Sequence, residues 1–203
     1  MKKRMGVLAL LGAVVLTLSL CTILQAQQQR LADKLLRLHV VASSDSKRDQ
    51  AIKLCVRDAV LDEAEQLSRG SHDPVQAVAQ GLGEIEAAAN AVLRRQGCAE
   101  TATVSLRREL FPTRAYETFS LPAGVYPSLR VTIGQGAGHN WWCVIFPALC
   151  VAATGDDLEQ AAAAGGFSAA EIDLMTQQGG YTVKFRALEL LQALKNALFG
   201  LQA

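Results

Sequence analysis

The chain has 203 residues, with 20 basic and 19 acidic side chains for a formal net charge of +1. That balance excludes a polybasic nucleic-acid binder, and 50% hydrophobic against 19% charged residues excludes disorder throughout. Five cysteines are too few for a disulfide-dense mini-protein, and no pair of them has zinc-finger spacing.

Lys2, Lys3 and Arg4 precede an uncharged run from Met5 to Leu24 dominated by Leu, Val and Ala. A helix of about 20 residues rises roughly 30 Å, enough to cross the hydrocarbon core of a bilayer. A basic cluster followed by an apolar run is an export pattern, which places everything after Leu24 outside the cytoplasm. Residues 1–26 read either as a signal peptide or as a membrane anchor. Ala26 suits the residue before a cleavage point, whereas Leu24 is bulky where a small residue is wanted. Leu20 before Cys21 argues against a lipoprotein signal. Without its three N-terminal basic residues the chain carries −2 instead of +1, so its exported part has no field for polyanions.

Residues 27–35 read as a polar tether and 36–203 as one exported domain. Leu36, Leu38 and Val40 alternate with Arg37, His39 and Val41, the period of a strand. Ser43, Ser44 and Asp45 offer caps for a helix whose apolar stripe is Ile52, Val56, Ala59, Val60, Ala64 and Leu67, with Lys53, Arg57, Asp58 and Asp62 facing elsewhere. Gly70 closes it. Asp73-Pro74 starts a second helix, a seam of Val75, Val78, Leu82, Ile85, Ala89 and Val92 weakened by Gly81 and Gly83 and ended by Gly97.

From Thr101 the period is two, with Val104 and Leu106 opposite Ser105, Arg107 and Glu109. Pro112, Pro122 and Pro127 punctuate further extended pieces, one of them carrying Leu129, Val131 and Ile133 on one face. Trp141 to Phe146 is apolar on both faces and reads as a central, covered strand. Residues 156–164 are Ala-rich, and a short helix follows near Ala169 to Met175. Tyr181, Val183 and Phe185 alternate before a last amphipathic helix through Leu188, Leu191, Leu194, Leu198 and Leu201. The sum is an α+β fold, a single domain whose mostly antiparallel sheet is covered by amphipathic helices.

The densest stretch for function is Gly134 to Cys150, GQGAGHNWWCVIFPALC. Its glycines do not form a dinucleotide fingerprint, because the stretch leads into a strand and not a helix. His39, His72 and His139 are far apart in sequence, which argues against a metal site, and no cofactor is implied. His139 and Cys143 invite a cysteine-hydrolase reading, acting on peptide or cell wall. On an extended strand those two residues sit about 13 Å apart, too far for a base to activate a thiol. Cys143 and Cys150 are candidates for a disulfide in an oxidising compartment, with Cys55 and Cys98 free to pair or to fill core space. Trp141 and Trp142 alternate across the strand, so one of them beside a Gly-rich loop can anchor a partner. The residues assigned to partner binding are Gly136, His139, Asn140, Trp141 and Trp142. No enzyme emerges.

Three segments carry a family resemblance: RLHVVASSDSKRDQAIKLCVRDAVL from Arg37, GQGAGHNWWCVIFPALC from Gly134, and YTVKFRALELLQAL from Tyr181. Together they resemble the stage II sporulation protein R family. The resemblance implies an intercellular signal of endospore formation, made in the forespore and exported to the space between its membrane and that of the mother cell. It implies as partner a membrane-embedded aspartic protease, stage II sporulation protein GA, which then processes the sigma-E precursor.

Overall fold

The computed structural model describes residues 28–116, 119–147 and 166–176, with isolated positions between 12 and 26. Strand β1 (Leu36–Val41) has all six residues buried, so both of its faces must be covered. It is followed by α1 (Lys47–Ser68), α2 (Pro74–Gln80), α3 (Leu82–Arg95), β2 (Ala102–Phe111), β3 (Arg114–Ala115), β4 (Ser120–Leu121), β5 (Gly124–Ile133), β6 (Asn140–Phe146) and α4 (Ala169–Thr176). Four strands form one sheet in the order β2-β5-β1-β6, and β3 pairs with β4 in a small ribbon. The β2–β5 and β1–β6 pairs are antiparallel and the β1–β5 pair is parallel, so the α+β sheet is mixed and mostly antiparallel.

Period-two alternation divides the side chains into two cores. Leu36, Leu38, Val40, Leu129, Val131, Ile133, Cys143 and Ile145 face Ile52, Val56, Val60, Val78, Ile85, Ala89 and Leu93 of the three helices. The other core joins Phe111, Tyr126 and Val144 with Leu31, Ala32, Leu35, Phe119, Leu121, Phe167 and Met175. Residues 28–33, expected as tether, are therefore helical and built into the folded body: Leu31, Ala32 and Leu35 are almost fully buried. Asp33 pairs with Arg108 at 2.7 Å, and Lys34 pairs with Glu171 at 2.8 Å.

Several local expectations are corrected. The cap of α1 is Ser46, whose Oγ accepts from the Asp49 amide at 3.1 Å, and not a residue of 43–45. Lys53 does not face solvent: it is 4% exposed, with Nζ donating to Gln50 Oε1 and to the His139 carbonyl. The expected long second helix is two helices, α2 and α3, which share Gly81 as boundary; a Cβ there would drive into the Leu67 side chain. Asp73 caps α2 as expected. After α3, the Cys98 amide bonds the Leu93 carbonyl and the Gly97 amide that of Arg94, with Gly97 at φ +60°. This is the six-to-one closure that a glycine permits.

Pro127 lies inside β5 instead of interrupting it, one residue before the parallel ladder with β1 starts at Ser128. Strand β6 is covered on both faces at Cys143–Ile145, yet among the described strands it stands at the end of the sheet and pairs only with β1. The other end, β2, has backbone groups taken up by α3. Asn90 exchanges two hydrogen bonds with Ala102 at 2.9 Å, and Glu86 accepts from the Val104 amide at 2.9 Å. Such cover blunts the Ala102–Val104 end of the edge as a template for strand addition. The expected strand at Tyr181 and the helix through Leu201 lie outside the described residues, as does most of the Met5–Leu24 run. Among the described residues no helix is long and apolar enough to cross a membrane.

Arg37 is the outlier of the second core. It is wholly buried, its guanidinium 4.0 Å from the Phe111 ring centroid and 5.0 Å from that of Tyr126. Nη2 donates to Tyr116 Oη at 2.8 Å, while Nε and Nη1 find no acceptor. Burial pulls its pKa below the ordinary arginine range. Unpaired buried donors carry their full desolvation cost, so an apolar side chain of similar length substitutes with little loss. Arg37→Met should stay within about 1 kcal/mol of the parent in urea unfolding, and Arg37→Ala should lose about 2–4 kcal/mol by leaving a cavity. Equal losses for both would show that the charge, not the packing, is what the site requires.

Candidate functional site

The stretch from Gly134 to His139 is a turn that delivers β6 to the edge of β1. Gly134 and Gly136 adopt φ +54° and +61°, a region costly for any residue with a Cβ. The Ala137 and Gly138 amides donate to the carbonyls of Ser43 and Ala42 at 3.1 and 2.9 Å. A Cβ on Gly138 would strike the Ser44 backbone carbonyl. The glycine spacing thus serves close approach to this chain's own backbone. Gly136 shapes the turn and is not among the residues lining the adjacent cleft.

That cleft is open to solvent, about 380 Å3 in volume, and lined by Asp45, Arg114, Ala137, Gly138, His139, Asn140 and Trp142. Three of the five residues assigned to partner binding therefore meet there. His139 projects from the rim, its side chain 78% exposed. Its amide donates to Asp45 Oδ1 at 2.6 Å, and its Nδ1 pairs with the same oxygen. Hydrogen bonds from the His139 ring and amide lower the Asp45 pKa. The His139 carbonyl is held from below by Lys53 Nζ at 3.0 Å.

The two tryptophans separate as alternation requires. Trp141 turns to the helix side, with the Arg57 guanidinium 4.5 Å from its ring centroid. Trp142 turns to the second core and the cleft, 5.7 Å from the His39 ring and with the Arg114 guanidinium at 4.2 Å. Both are half-buried. Cys143, next on the helix side, is 3% exposed and disulfide-bonded. A disulfide sulfur has no thiolate, so Cys143 in this state does not supply the nucleophile that the hydrolase reading requires. Cys150 lies outside the described residues; Cys55 and Cys98 are free thiols and do not pair with each other.

Beneath the cleft runs a polar network that the sequence reading left out. His39 is 8% exposed, with Nδ1 3.1 Å from Glu109 Oε2 and Nε2 2.9 Å from Asn140 Oδ1. Glu109 also accepts from Ser128 Oγ at 2.8 Å and from Arg130 Nη1 at 2.9 Å, with Arg107 Nε at 3.1 Å. Burial alone would raise its pKa, but the hydrogen bonds from His39, Ser128 and Arg130 outweigh that and hold it down to about 2. The signal in the sequence was Arg37 and His39 alternating on a strand whose apolar positions already fill one face. Asp45 and Arg114, assigned no site role from sequence, complete the cleft. Among the described residues no group of three or more His, Cys, Asp or Glu side chains could hold a metal ion.

A family model described as stage II sporulation protein R matches residues 32–156. A curated relative, stage II sporulation protein R of Bacillus subtilis (strain 168), is 36% identical over 121 residues, covering 58% of this chain and 54% of the relative. The chain thus spans about half the length of that relative. No solved structure matches it.

Because its folded pKa lies below the ordinary value of 4.5, Glu109 contributes stability that is complete above that value and is lost as pH falls toward about 2. The shift corresponds to about 3 kcal/mol. Glu109→Gln should lower unfolding free energy at pH 7 by about 2–3 kcal/mol and narrow the gap to the parent as pH falls below 4.5. A gap that is unchanged from pH 7 to pH 2.5 in chemical denaturation would refute the network's charge.

Proposed function

The chain belongs to the stage II sporulation protein R family, and from that membership we propose that it is an exported signal that activates a membrane-embedded aspartic protease, stage II sporulation protein GA, so that the sigma-E precursor is processed. It is a stage II sporulation protein. In this reading the folded body lies between the forespore and mother-cell membranes, with residues 1–26 as signal peptide or anchor. It acts by docking, and the protease breaks the bond.

One observation carries the docking role: the Asn-Trp-Trp run brings Asn140 and Trp142 into an open cleft beside Arg114 and His139. A half-buried aromatic ring with a guanidinium stacked on it supplies area and direction together, as the anchors of protein interfaces do. An activator shifts its target only through a difference in affinity for the active and inactive forms. A preference of about 3 kcal/mol changes their ratio roughly a hundredfold.

Reconstitution of the full chain with the protease and the sigma-E precursor in lipid vesicles tests the proposal. Precursor cleavage should require the chain, and Trp142→Ala should cut it at least about tenfold under conditions where its unfolding curve shows the variant still folded. Cleavage independent of the chain, or full activity in Trp142→Ala, would remove the proposal's basis.

A further inference from the structure

Residues 28–33 do more than fill the second core: they join the folded body to the apolar run at the N-terminus. Every described position from Gly12 to Ala26 is helical, as are all of 28–33, and Thr22 Oγ1 bonds back to the Ser19 carbonyl at 2.8 Å. The described positions up to Ala26 are exposed, Leu16 at 63% and Ile23 at 58%. The body takes hold immediately afterwards. Gln28 Nε2 donates to the Ala123 carbonyl, and a Cβ on Gly124 would lie 3.1 Å from the same nitrogen. Gln29 Nε2 donates to the Val125 carbonyl at 3.3 Å and to Asp33 Oδ1 at 2.9 Å. With Leu31, Ala32 and Leu35 buried and Asp33 paired with Arg108, this joint has no slack of a tether.

Topology gives the joint a direction. Strand β1 begins at Leu36, directly after this segment, and runs parallel to β5. Both strands lead away from it: β5 from Gly124, beside Gln28, to Ile133, and β1 from Leu36 to Val41, which pairs with Asn140 of the cleft. At about 3.3 Å per residue, the path from Gly124 to Gly134 is about 30 Å long. At the near end Leu110, paired with Val125, is 41% exposed, and Pro112 just past β2 is exposed too. The helical rise from Leu24 to Gln29 is only about 8 Å.

We propose that the apolar run and residues 28–33 act as one stalk, which stands the body on the bilayer with Leu110, Pro112 and the Pro122–Val125 turn at the headgroups and holds the cleft about one strand length away. The occupant of the near end is lipid: the exposed apolar positions belong to an uncharged run behind Lys2, Lys3 and Arg4 that matches the hydrocarbon core in length. The cleft then opens away from the membrane that holds the chain, toward a partner on a facing surface. The orientation rests on the anchored reading of residues 1–26; the stiffness of the joint does not.

The chain's two tryptophans, Trp141 and Trp142, both stand at the cleft end, so native emission reports that end alone. The full chain is placed in phosphatidylglycerol–phosphatidylethanolamine vesicles whose headgroups carry a nitroxide quencher. Native emission should be unchanged by the nitroxide, whereas the added emission of Leu110→Trp should be largely lost. Pro112→Trp, a second reporter at an exposed position, should behave alike. A flexible Gly-Ser insert of about six residues after Ala26 should leave the chain floating with the vesicles and restore most of the lost emission. Quenching of the native pair, or unquenched reporters at 110 and 112 in a chain that floats with the vesicles, overturns the orientation. Quenching that the insert leaves unchanged overturns the stalk. A full chain that does not float with vesicles overturns the anchored reading, and the orientation with it.

Discussion

The structure depends on burying one strand from both sides. Strand β1 is flanked by β5 in parallel and β6 antiparallel, and each of its six residues is buried. A strand so placed needs apolar neighbours above and below the sheet, which is why one core gathers the helices and the other gathers 28–33, the β3–β4 ribbon and α4. Register follows from the same demand. A slip of one residue would send Leu38 and Val40 into the second core and Arg37 and His39 under the helices.

Arg37 and His39 are the two polar groups that this arrangement traps, and the sheet treats them differently. Arg37 is held by aromatic faces and one tyrosine hydroxyl, so its charge is sheltered but incompletely bonded. His39 is hydrogen-bonded by Glu109 of β2 and Asn140 of β6, and Arg130 of β5 holds Glu109 in place. Networks satisfied to this degree rigidify their surroundings, whereas single unpaired groups only add cost. The satisfied group is also the one beneath the cleft.

Much of this was legible in the sequence because period and punctuation act locally. The alternation at 36–41, the Asp73-Pro74 start and the Gly97 stop all fall where the structure has them. What failed required knowledge of the third dimension. Lys53 appears on the polar side of α1, yet the His139 carbonyl lies above it and takes up its ammonium. Gly81, where α2 and α3 divide, interrupts a continuous apolar seam at a point where Leu67 of α1 leaves no room for a Cβ. The cleft was half visible: Asn140 and Trp142 stood out by composition, but Asp45 and Arg114 reach it from segments about 95 and 26 residues away, a proximity created only by the fold. His39 and Glu109 escape a linear reading for the same reason, since a buried hydrogen-bonded pair between strands has no sequence signature.

The close passage of Gly138 over the Ser44 carbonyl has a mechanical implication. No compressible layer of side chains separates the connector before β6 from the one that opens α1, and amide bonds from 137 and 138 stitch the two together. Force applied at the rim by a bound neighbour is accordingly delivered to the start of a 22-residue rod with almost no slack. The rim is as stiff as the seating of that rod on the sheet.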